Sequence, residues 1–146
     1  MNSKQISDIL RTNYYSRRYF IGVFSADTMP ENITHYPCSF VCNTKKSTHP
    51  GEHWLAFFIP RQDCLEIFDS LARDLPKTIE KYMKRYNNVK RNRKKFQSDF
   101  ETSCGSHVIF FLIKRSMGNS FDRIMTEIGT KDFRDAFVKL FTASLT

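Results

Sequence analysis

Four side chains of the sequence have the types and the order that a thiol-dependent hydrolase requires. Cys104 stands before a glycine at the start of a long apolar segment. A cysteine at the N-terminus of a helix gains thiolate character from the helix dipole and from a nearby imidazolium. His53 is the expected base and Asp69 the acid that orients it. Gln97 precedes the cysteine across a short connection, and its side-chain amide can donate to an oxyanion together with the Cys104 backbone N–H.

The elements around these residues are predicted from hydrophobic patterning. Residues 53–59 form a nearly continuous apolar run and residues 64–68 a shorter one, which together predict a hairpin with a tight connection at 60–63. His53 then begins one strand and Asp69 follows the other, so both lie at the same edge of the sheet. Residues 103–114 are apolar nearly all round, which predicts a buried helix that begins near Cys104.

The remaining segments predict an α+β chain. Helices are expected over residues 1–12 with Ser3 as N-cap, and over 75–86, 121–128 and 132–141. Short strands are expected at 19–24, 39–43 and 95–97. The length of 146 residues fits one domain, residues 1–146, and buries about two-thirds of the surface of the unfolded chain.

The charge balance favours polyanionic partners. Lys and Arg total 23 against 15 Asp and Glu, a net charge of +8. Such a balance is typical of nucleic-acid-binding proteins, although a basic surface with no specific partner has the same composition. The most basic stretch is 81–95, where two tyrosines are interleaved. The expected phosphate contacts there are Lys84, Arg85, Lys90, Arg91, Arg93, Lys94 and Lys95.

The cysteines and the N-terminus indicate an intracellular protein. The N-terminal residues are polar, without the apolar core of a signal peptide, and no run approaches the roughly 20 residues that span a bilayer. Reduced thiols are then expected at Cys38, Cys42, Cys64 and Cys104. A zinc site would require Cys38, Cys42, His49 and His53. The spacer between those two pairs is too short for a zinc finger, so no metal is expected.

The candidate residues also have structural interpretations. Cys104 alone could be a small core residue of an apolar helix. His107 lies one turn after Cys104 and is either a rival base or a hydrogen-bonded core histidine. Trp54 fits core packing.

The segments that carry this chemistry resemble the adenovirus proteases. Residues 51–57 (GEHWLAF) resemble their His-Trp strand, 67–70 (IFDS) their acidic strand end, and 97–105 (QSDFETSCG) their Gln-to-Cys-Gly block. Residues 19–24 and 40–44 also look similar, so the likeness extends from about residue 5 to about residue 115. The order His, acid, Gln, Cys is shared with the clan that includes the SUMO-deconjugating proteases. Asp69 stands where adenovirus enzymes typically carry Glu, and the chain is shorter after the cysteine helix.

The resemblance implies a small central mixed β-sheet packed between helices, with the nucleophilic cysteine at the N-terminus of a buried helix. It implies a maturation endopeptidase of a virus or a virus-derived transposon, located in the virion and the host nucleus. Such an enzyme cleaves capsid and core precursors at Gly-containing sites through a Cys-His-Asp triad and an acyl-enzyme. Trp54 would wall a narrow substrate groove, and Gly105 would let the backbone come close to the substrate.

The resemblance also bears on cofactors and partners. It implies DNA as an activator and no small-molecule cofactor. The family's C-terminal portion contributes to binding an activator peptide, and this chain is shorter there, so the need for a peptide activator stays open. A monomer without a membrane partner is expected. Three alternatives use the same residues or the same charge: a deconjugating protease for a ubiquitin-like modifier, an acyltransferase of the bacterial effector type, and a catalytically inactive nucleic-acid-binding module.

Overall fold

The computed structural model describes residues 1–45, 53–98 and 103–145. In these ranges the elements are α1 (Ser3–Thr12), β1 (Phe20–Phe24), β2 (Cys38–Asn43), β3 (Trp54–Arg61), β4 (Cys64–Phe68), α2 (Lys77–Met83), β5 (Asn88–Arg91), α3 (Cys104–Ser116), α4 (Phe121–Gly129) and α5 (Arg134–Ala143). None of the described helices has the length and apolar character needed to cross a membrane. The expected α+β class is confirmed.

The five strands of the described chain form one mixed sheet in the order β1-β2-β3-β4-β5. The outer pairs β1–β2 and β4–β5 are parallel, and the inner pairs β2–β3 and β3–β4 are antiparallel. Residues 55–59 of β3 are all buried, because helices cover both faces of this central strand. That burial explains why the strand is a continuous apolar run instead of an alternating one.

Two hydrophobic cores lie on the two faces of the sheet. On one face α3 packs with α1, α4 and α5, and on the other face α2 packs on β2 and β3. Phe111 of α3 stacks on Phe68 of β4 with ring centroids 5.0 Å apart. Burying one such side chain contributes roughly 1.5–3 kcal/mol, so α3 is held firmly against the sheet. The expected helix–sheet–helix arrangement is therefore present.

Two local expectations are wrong. The N-cap of α1 is Asn2 and not Ser3, because Asn2 and Gln5 form a reciprocal capping box with side-chain bonds of 2.9 and 2.8 Å. Residues 95–97 form no strand; the Phe96 and Gln97 backbone N–H groups both donate to the Ser70 carbonyl. The fifth strand is β5, which lies inside the basic stretch. Its side chains are largely exposed at the sheet edge, so no apolar pattern marks it.

Candidate active site

His53 and Asp69 meet at one edge of the β3–β4 hairpin. His53 directly precedes β3 and Asp69 directly follows β4, and the two strands pair antiparallel with Ala56 opposite Phe68. His53 Nε2 donates to Asp69 Oδ1 at 2.5 Å, and both residues are buried. The contact that the hairpin geometry predicts is therefore present.

The Asp69 carboxylate is held by the backbone that follows it. Oδ1 accepts from the Leu71 N–H at 3.0 Å and Oδ2 from the Arg73 N–H at 2.9 Å. Burial raises the pKa of Asp69, but the bond to His53, the His53 charge and these two N–H groups outweigh it, so the pKa lies below its usual value. Asp69 is therefore an ionised, oriented acceptor for the imidazole.

Asn92 is a site residue that the sequence analysis missed. This buried side chain accepts from the Asp69 backbone N–H at 2.8 Å and donates to the Asp69 carbonyl at 2.6 Å. It thereby pairs both backbone polar groups of the acidic residue. Asn92 stands between two arginines in the basic stretch, and no local signal distinguishes it from a surface residue.

Cys104 is the first residue of α3, and its thiol interacts with His53. Because His53 Nε2 is bonded to Asp69, Nδ1 is the ring nitrogen left for the thiol. Burial raises the pKa of the Cys104 thiol, but the His53 hydrogen bond, the Trp54 backbone N–H, the His53 charge and the Gly105 backbone N–H outweigh it and lower the pKa. Each of these four interactions stabilises the thiolate.

The pKa of His53 is raised, whereas that of Cys104 is lowered. Burial lowers it, but hydrogen bonds to Asp69 and Cys104 and the negative charges of those two groups raise it to about 9. A histidine pKa above neutrality and a cysteine pKa below its ordinary value favour a thiolate–imidazolium pair at neutral pH. The site is thus arranged for nucleophilic attack by sulfur.

Gln97 is anchored to the same strand end as Asp69. Its backbone N–H donates to the Ser70 carbonyl at 2.9 Å, and its side-chain Oε1 accepts from Ser70 Oγ at 2.6 Å. Because the oxygen accepts from Ser70, the amide NH₂ group points away from that hydroxyl within the plane of the amide. The oxyanion role of this NH₂ group stays a prediction. Ser70 was not anticipated as the anchor.

Trp54 and Gly105 both contact the N-terminal segment. The Trp54 indole Nε1 donates to the Met1 carbonyl at 3.2 Å. A Cβ added at Gly105 would lie 3.0 Å from Met1 Cβ and 3.6 Å from Ile6 Cδ1. The atoms nearest to this position belong to Met1 and to helix α1. The absence of a side chain at Gly105 therefore makes room for the N-terminal segment, whether or not it also admits a substrate. The groove role of both residues stays a prediction.

The rival interpretations of the site have structural answers. His107 is fully buried and donates through Nε2 to Asp135 Oδ1 at 2.9 Å, so it is a hydrogen-bonded core histidine.

All four cysteines are free thiols. Burial raises the pKa of Cys38 to about 11 and that of Cys42 to about 12, opposite to the shift at Cys104. His49 of the zinc alternative lies outside the described residues, and those that are described contain no cluster of three or more His, Cys, Asp or Glu suited to a metal.

The seven basic residues lie between the end of α2 and the segment that follows β5. Arg85 pairs with Glu31 at 3.2 Å, and Lys90 with Asp122 at 3.0 Å. The guanidinium of Arg91 donates to the Arg73 carbonyl. Lys84, Arg93, Lys94 and Lys95 are exposed, as Arg85 and Lys90 also are, and the Lys94 ammonium lies 5.8 Å from the centre of the Phe96 ring. Part of the positive charge is therefore neutralised within the protein, and nucleic-acid contact stays a prediction.

The mixed sheet and the helix that begins at Cys104 define a fold that is found in a protease. The structure aligns with the crystal structure of the ASFV pS273R protease with a TM-score of 0.57 over 92% of this chain, at 19% sequence identity. This chain spans 65% of the length of that protease. A second crystal structure of it, with selenomethionine, aligns over 68% of this chain and 44% of the other at 27% identity and a TM-score of 0.43.

No protein-family model and no curated protein matches the sequence. The comparison with the first crystal structure shows the fold, and it confirms the fold that the resemblance to viral proteases implied. The assignment of the site residues rests on the geometry described above and not on a sequence alignment.

Proposed function

We propose that this protein is a cysteine endopeptidase that acts through an acyl-enzyme. The observation that carries the proposal is the position of the His53 ring, which bonds to Asp69 through Nε2 and interacts with the Cys104 thiol at the start of α3. The ASFV neighbour of the same fold is a protease, which supports this reaction class. The single-residue roles are part of the proposal.

The proposed reaction uses the thiolate form of Cys104 and the imidazolium form of His53. The Cys104 thiolate attacks the scissile carbonyl carbon and forms a tetrahedral oxyanion. His53, already protonated by the pairing, gives its proton to the departing amine as the C–N bond breaks, and a thioester remains. His53 then takes a proton from water, which hydrolyses the thioester and releases the carboxylate product. Asp69 keeps the ring oriented throughout.

The oxyanion would lie at the N-terminus of α3. Ser103 is the N-cap residue, but its side chain does not cap the helix. Its hydroxyl donates instead to Asp135 Oδ1 at 2.6 Å. The first-turn N–H groups are thus not taken by the usual serine cap, and the positive end of the helix dipole favours negative charge there. Gln97 supplies a second donor in this proposal.

The first test is alkylation of the four cysteines by iodoacetamide across pH, measured at each site by mass spectrometry. Cys104 is expected to react well below the free-thiol pKa of about 8.5, and His53→Ala is expected to abolish this advantage. Hydrolysis of a peptide library is measured in parallel with wild type and with Cys104→Ser. A Cys104 no more reactive than Cys38, or a Cys104→Ser protein with wild-type turnover, would refute the proposal.

The proposed substrates are viral structural precursors cut at Gly-containing sites in the virion or the host nucleus. In this proposal Trp54, which follows His53 and whose partly buried indole donates to the Met1 carbonyl, walls a narrow groove beside the catalytic residues. A groove of this kind excludes bulky side chains and admits glycine. Peptides with internal Gly sites compared with conjugates of a ubiquitin-like modifier that ends in Gly-Gly separate this proposal from deconjugation.

DNA is the proposed activator, and its binding would begin at the exposed residues that follow β5. Arg93, Lys94 and Lys95 are exposed and adjacent. Removing one side chain that binds a phosphate should reduce the salt dependence of DNA affinity by about one unit of slope. Replacing these three residues with Gln should therefore flatten the salt dependence, whereas Lys77→Gln on α2 should not. Peptide turnover with and without DNA shows whether that binding activates the enzyme.

A further inference from the structure

Asp135, in the first turn of α5, accepts three hydrogen bonds from residues close to the candidate active site. Its Oδ2 accepts from the Ser98 backbone N–H at 3.1 Å. Its Oδ1 accepts from Ser103 Oγ at 2.6 Å and from His107 Nε2 at 2.9 Å. One carboxylate thus joins three groups that are separated in the sequence. Neither the proposed attack nor the proposed proton transfer uses Asp135 directly.

Two of the three partners of Asp135 are the immediate neighbours of proposed catalytic residues. Ser98 follows Gln97, and Ser103 precedes Cys104. Gln97 is tied on its other side to Ser70, and Cys104 begins the buried helix α3. The spacing between the amide donor and the sulfur therefore depends on what fixes the chain at 98 and 103. In the described residues, Asp135 bonds to both positions.

We propose that Asp135 is a positioning residue, which holds Ser98 and Ser103 so that Gln97 and the first turn of α3 face the same oxyanion. The inference rests on the proposed function and deepens it. The bond from Ser103 has a specific effect, since it turns the hydroxyl of the N-cap residue away from the helix N-terminus. The Ser103 hydroxyl therefore does not cap the first turn of α3, and the positive end of that helix is left to stabilise negative charge at the active site.

The third hydrogen-bond partner of Asp135 is His107. It lies one turn into α3, is fully buried, and donates to the carboxylate from inside the helix packing. Burial lowers the pKa of His107 despite the bond to Asp135, so the ring is a neutral donor. Burial also opposes ionisation of Asp135, but hydrogen bonds from Ser103, His107 and Ser98 outweigh it and lower its pKa. A charged carboxylate with three donors makes strong bonds to each.

The test compares two reactions of Cys104 that differ only in the oxyanion. Iodoacetamide is attacked at a saturated carbon, iodide leaves, and only a thiolate is needed. p-Nitrophenyl acetate is attacked at a carbonyl carbon, an oxyanion forms, and the C–O bond then breaks to release p-nitrophenolate. Both products are measured at Cys104 by mass spectrometry. For Asp135→Asn we expect acylation to be slower by about tenfold to a hundredfold because the donors are misplaced. The rate and pH midpoint of alkylation should match wild type.

Two further variants sharpen the comparison. Asp132→Asn makes the same charge change at an exposed position just before α5 and should acylate at the wild-type rate. Ser103→Ala removes one of the three bonds and keeps the carboxylate, so it should slow acylation in the same selective way and by less. Melting temperatures of all variants separate positioning from loss of the fold.

Several results would overturn the inference. One is an Asp135→Asn protein that acylates as fast as wild type. Another is a parallel fall of alkylation and acylation together with the melting temperature, because that is the signature of a purely structural role. A wild-type Cys104 acylated no faster than Cys38 would also overturn it. If wild type is acylated selectively yet hydrolyses no peptide, and Asp135→Asn still slows only acylation, the positioning role stands and the endopeptidase proposal fails.

Discussion

The backbone of Asp69 and the side chain of Asn92 form two reciprocal hydrogen bonds. The Asp69 backbone N–H donates to Asn92 Oδ1 at 2.8 Å, and Asn92 Nδ2 donates back to the Asp69 carbonyl at 2.6 Å. Asn92 also donates to the Lys94 carbonyl at 3.0 Å. The chain after edge strand β5 is thereby fastened to the residue that orients the candidate catalytic histidine. An amide at position 92 thus links the basic stretch to the active site.

Asn92→Ala should therefore impair both stability and activity. It leaves the buried N–H and C=O of Asp69 without their partner, and each unpaired buried group costs about 1–3 kcal/mol. We expect a lower free energy of unfolding in urea denaturation. Turnover should fall further than the unfolded fraction explains, because Asp69 then orients His53 less precisely. Asn87→Ala, at an exposed position before β5, is the matched control and should be near neutral. An unchanged urea midpoint for Asn92→Ala would contradict this account.

The pH dependence of turnover follows from the paired shifts of His53 and Cys104. The active form needs a deprotonated thiol, which is favoured above the lowered Cys104 pKa, and a protonated imidazole, which is favoured below about 9. The profile of kcat/KM should therefore be bell-shaped, with its alkaline limb near pH 9. Because the bond and charge of Asp69 raise the His53 pKa, Asp69→Asn should move that limb to lower pH.

The control for this pH prediction is Asp74→Asn. Asp74 is exposed, and its replacement makes the same charge change close to the site in sequence. Its alkaline limb should stay where wild type has it. An Asp69→Asn profile that falls at the same alkaline pH as wild type would show that Asp69 does not set the proton affinity of His53.

Gly105 offers a test of how closely the N-terminal segment packs on the catalytic helix. In Gly105→Ala the new Cβ lies 3.0 Å from Met1 Cβ, so Met1 must move, while alanine improves helix propensity by up to about 1 kcal/mol. The two effects oppose each other, and we expect a small net change in the free energy of unfolding. The displaced Met1 should weaken the bond from the Trp54 indole, and Trp54 is the single tryptophan of the sequence.

Intrinsic fluorescence measures this displacement directly. Gly105→Ala should shift the Trp54 emission to longer wavelength as the indole becomes more exposed to water. Gly129→Ala, where the nearest atoms are 3.6 and 3.8 Å from the added Cβ, should leave the emission unchanged. Identical spectra for wild type and Gly105→Ala would mean that Met1 does not restrain the indole.

The sequence was sufficient to predict the parts of the site that depend on short-range geometry. A hairpin places the start of one strand beside the end of the next, so the contact between His53 and Asp69 follows from local spacing. The apolar run after Cys104 likewise predicts the buried helix and its N-terminus. Asn92 and Asp135 could not be predicted, since their contacts depend on where an edge strand and the last described helix pack in three dimensions. Neither residue stands in a local pattern that differs from an exposed one.

The far end of the catalytic helix is fixed by an ion pair with the sheet. Arg115 of α3 bonds Glu66 of β4 through two nitrogens, at 2.8 and 3.0 Å, and its guanidinium lies 4.5 Å from the centre of the Phe58 ring. Glu66 is buried, so removing the arginine leaves a buried carboxylate without its counter-charge. Arg115→Met should therefore cost on the order of 3 kcal/mol in the free energy of unfolding.

The double variant Glu66→Leu with Arg115→Met should recover much of that loss, because a hydrophobic pair in place of a buried ion pair is often neutral or stabilising. Urea denaturation of the two single variants and the double variant completes the thermodynamic cycle. Lys114→Met, at the neighbouring position of α3 with a side chain that pairs with Glu127 at 3.5 Å, is the control and should cost much less. Additive losses in the double variant would show that Glu66 and Arg115 contribute independently, and that the pair does not secure α3 to the sheet.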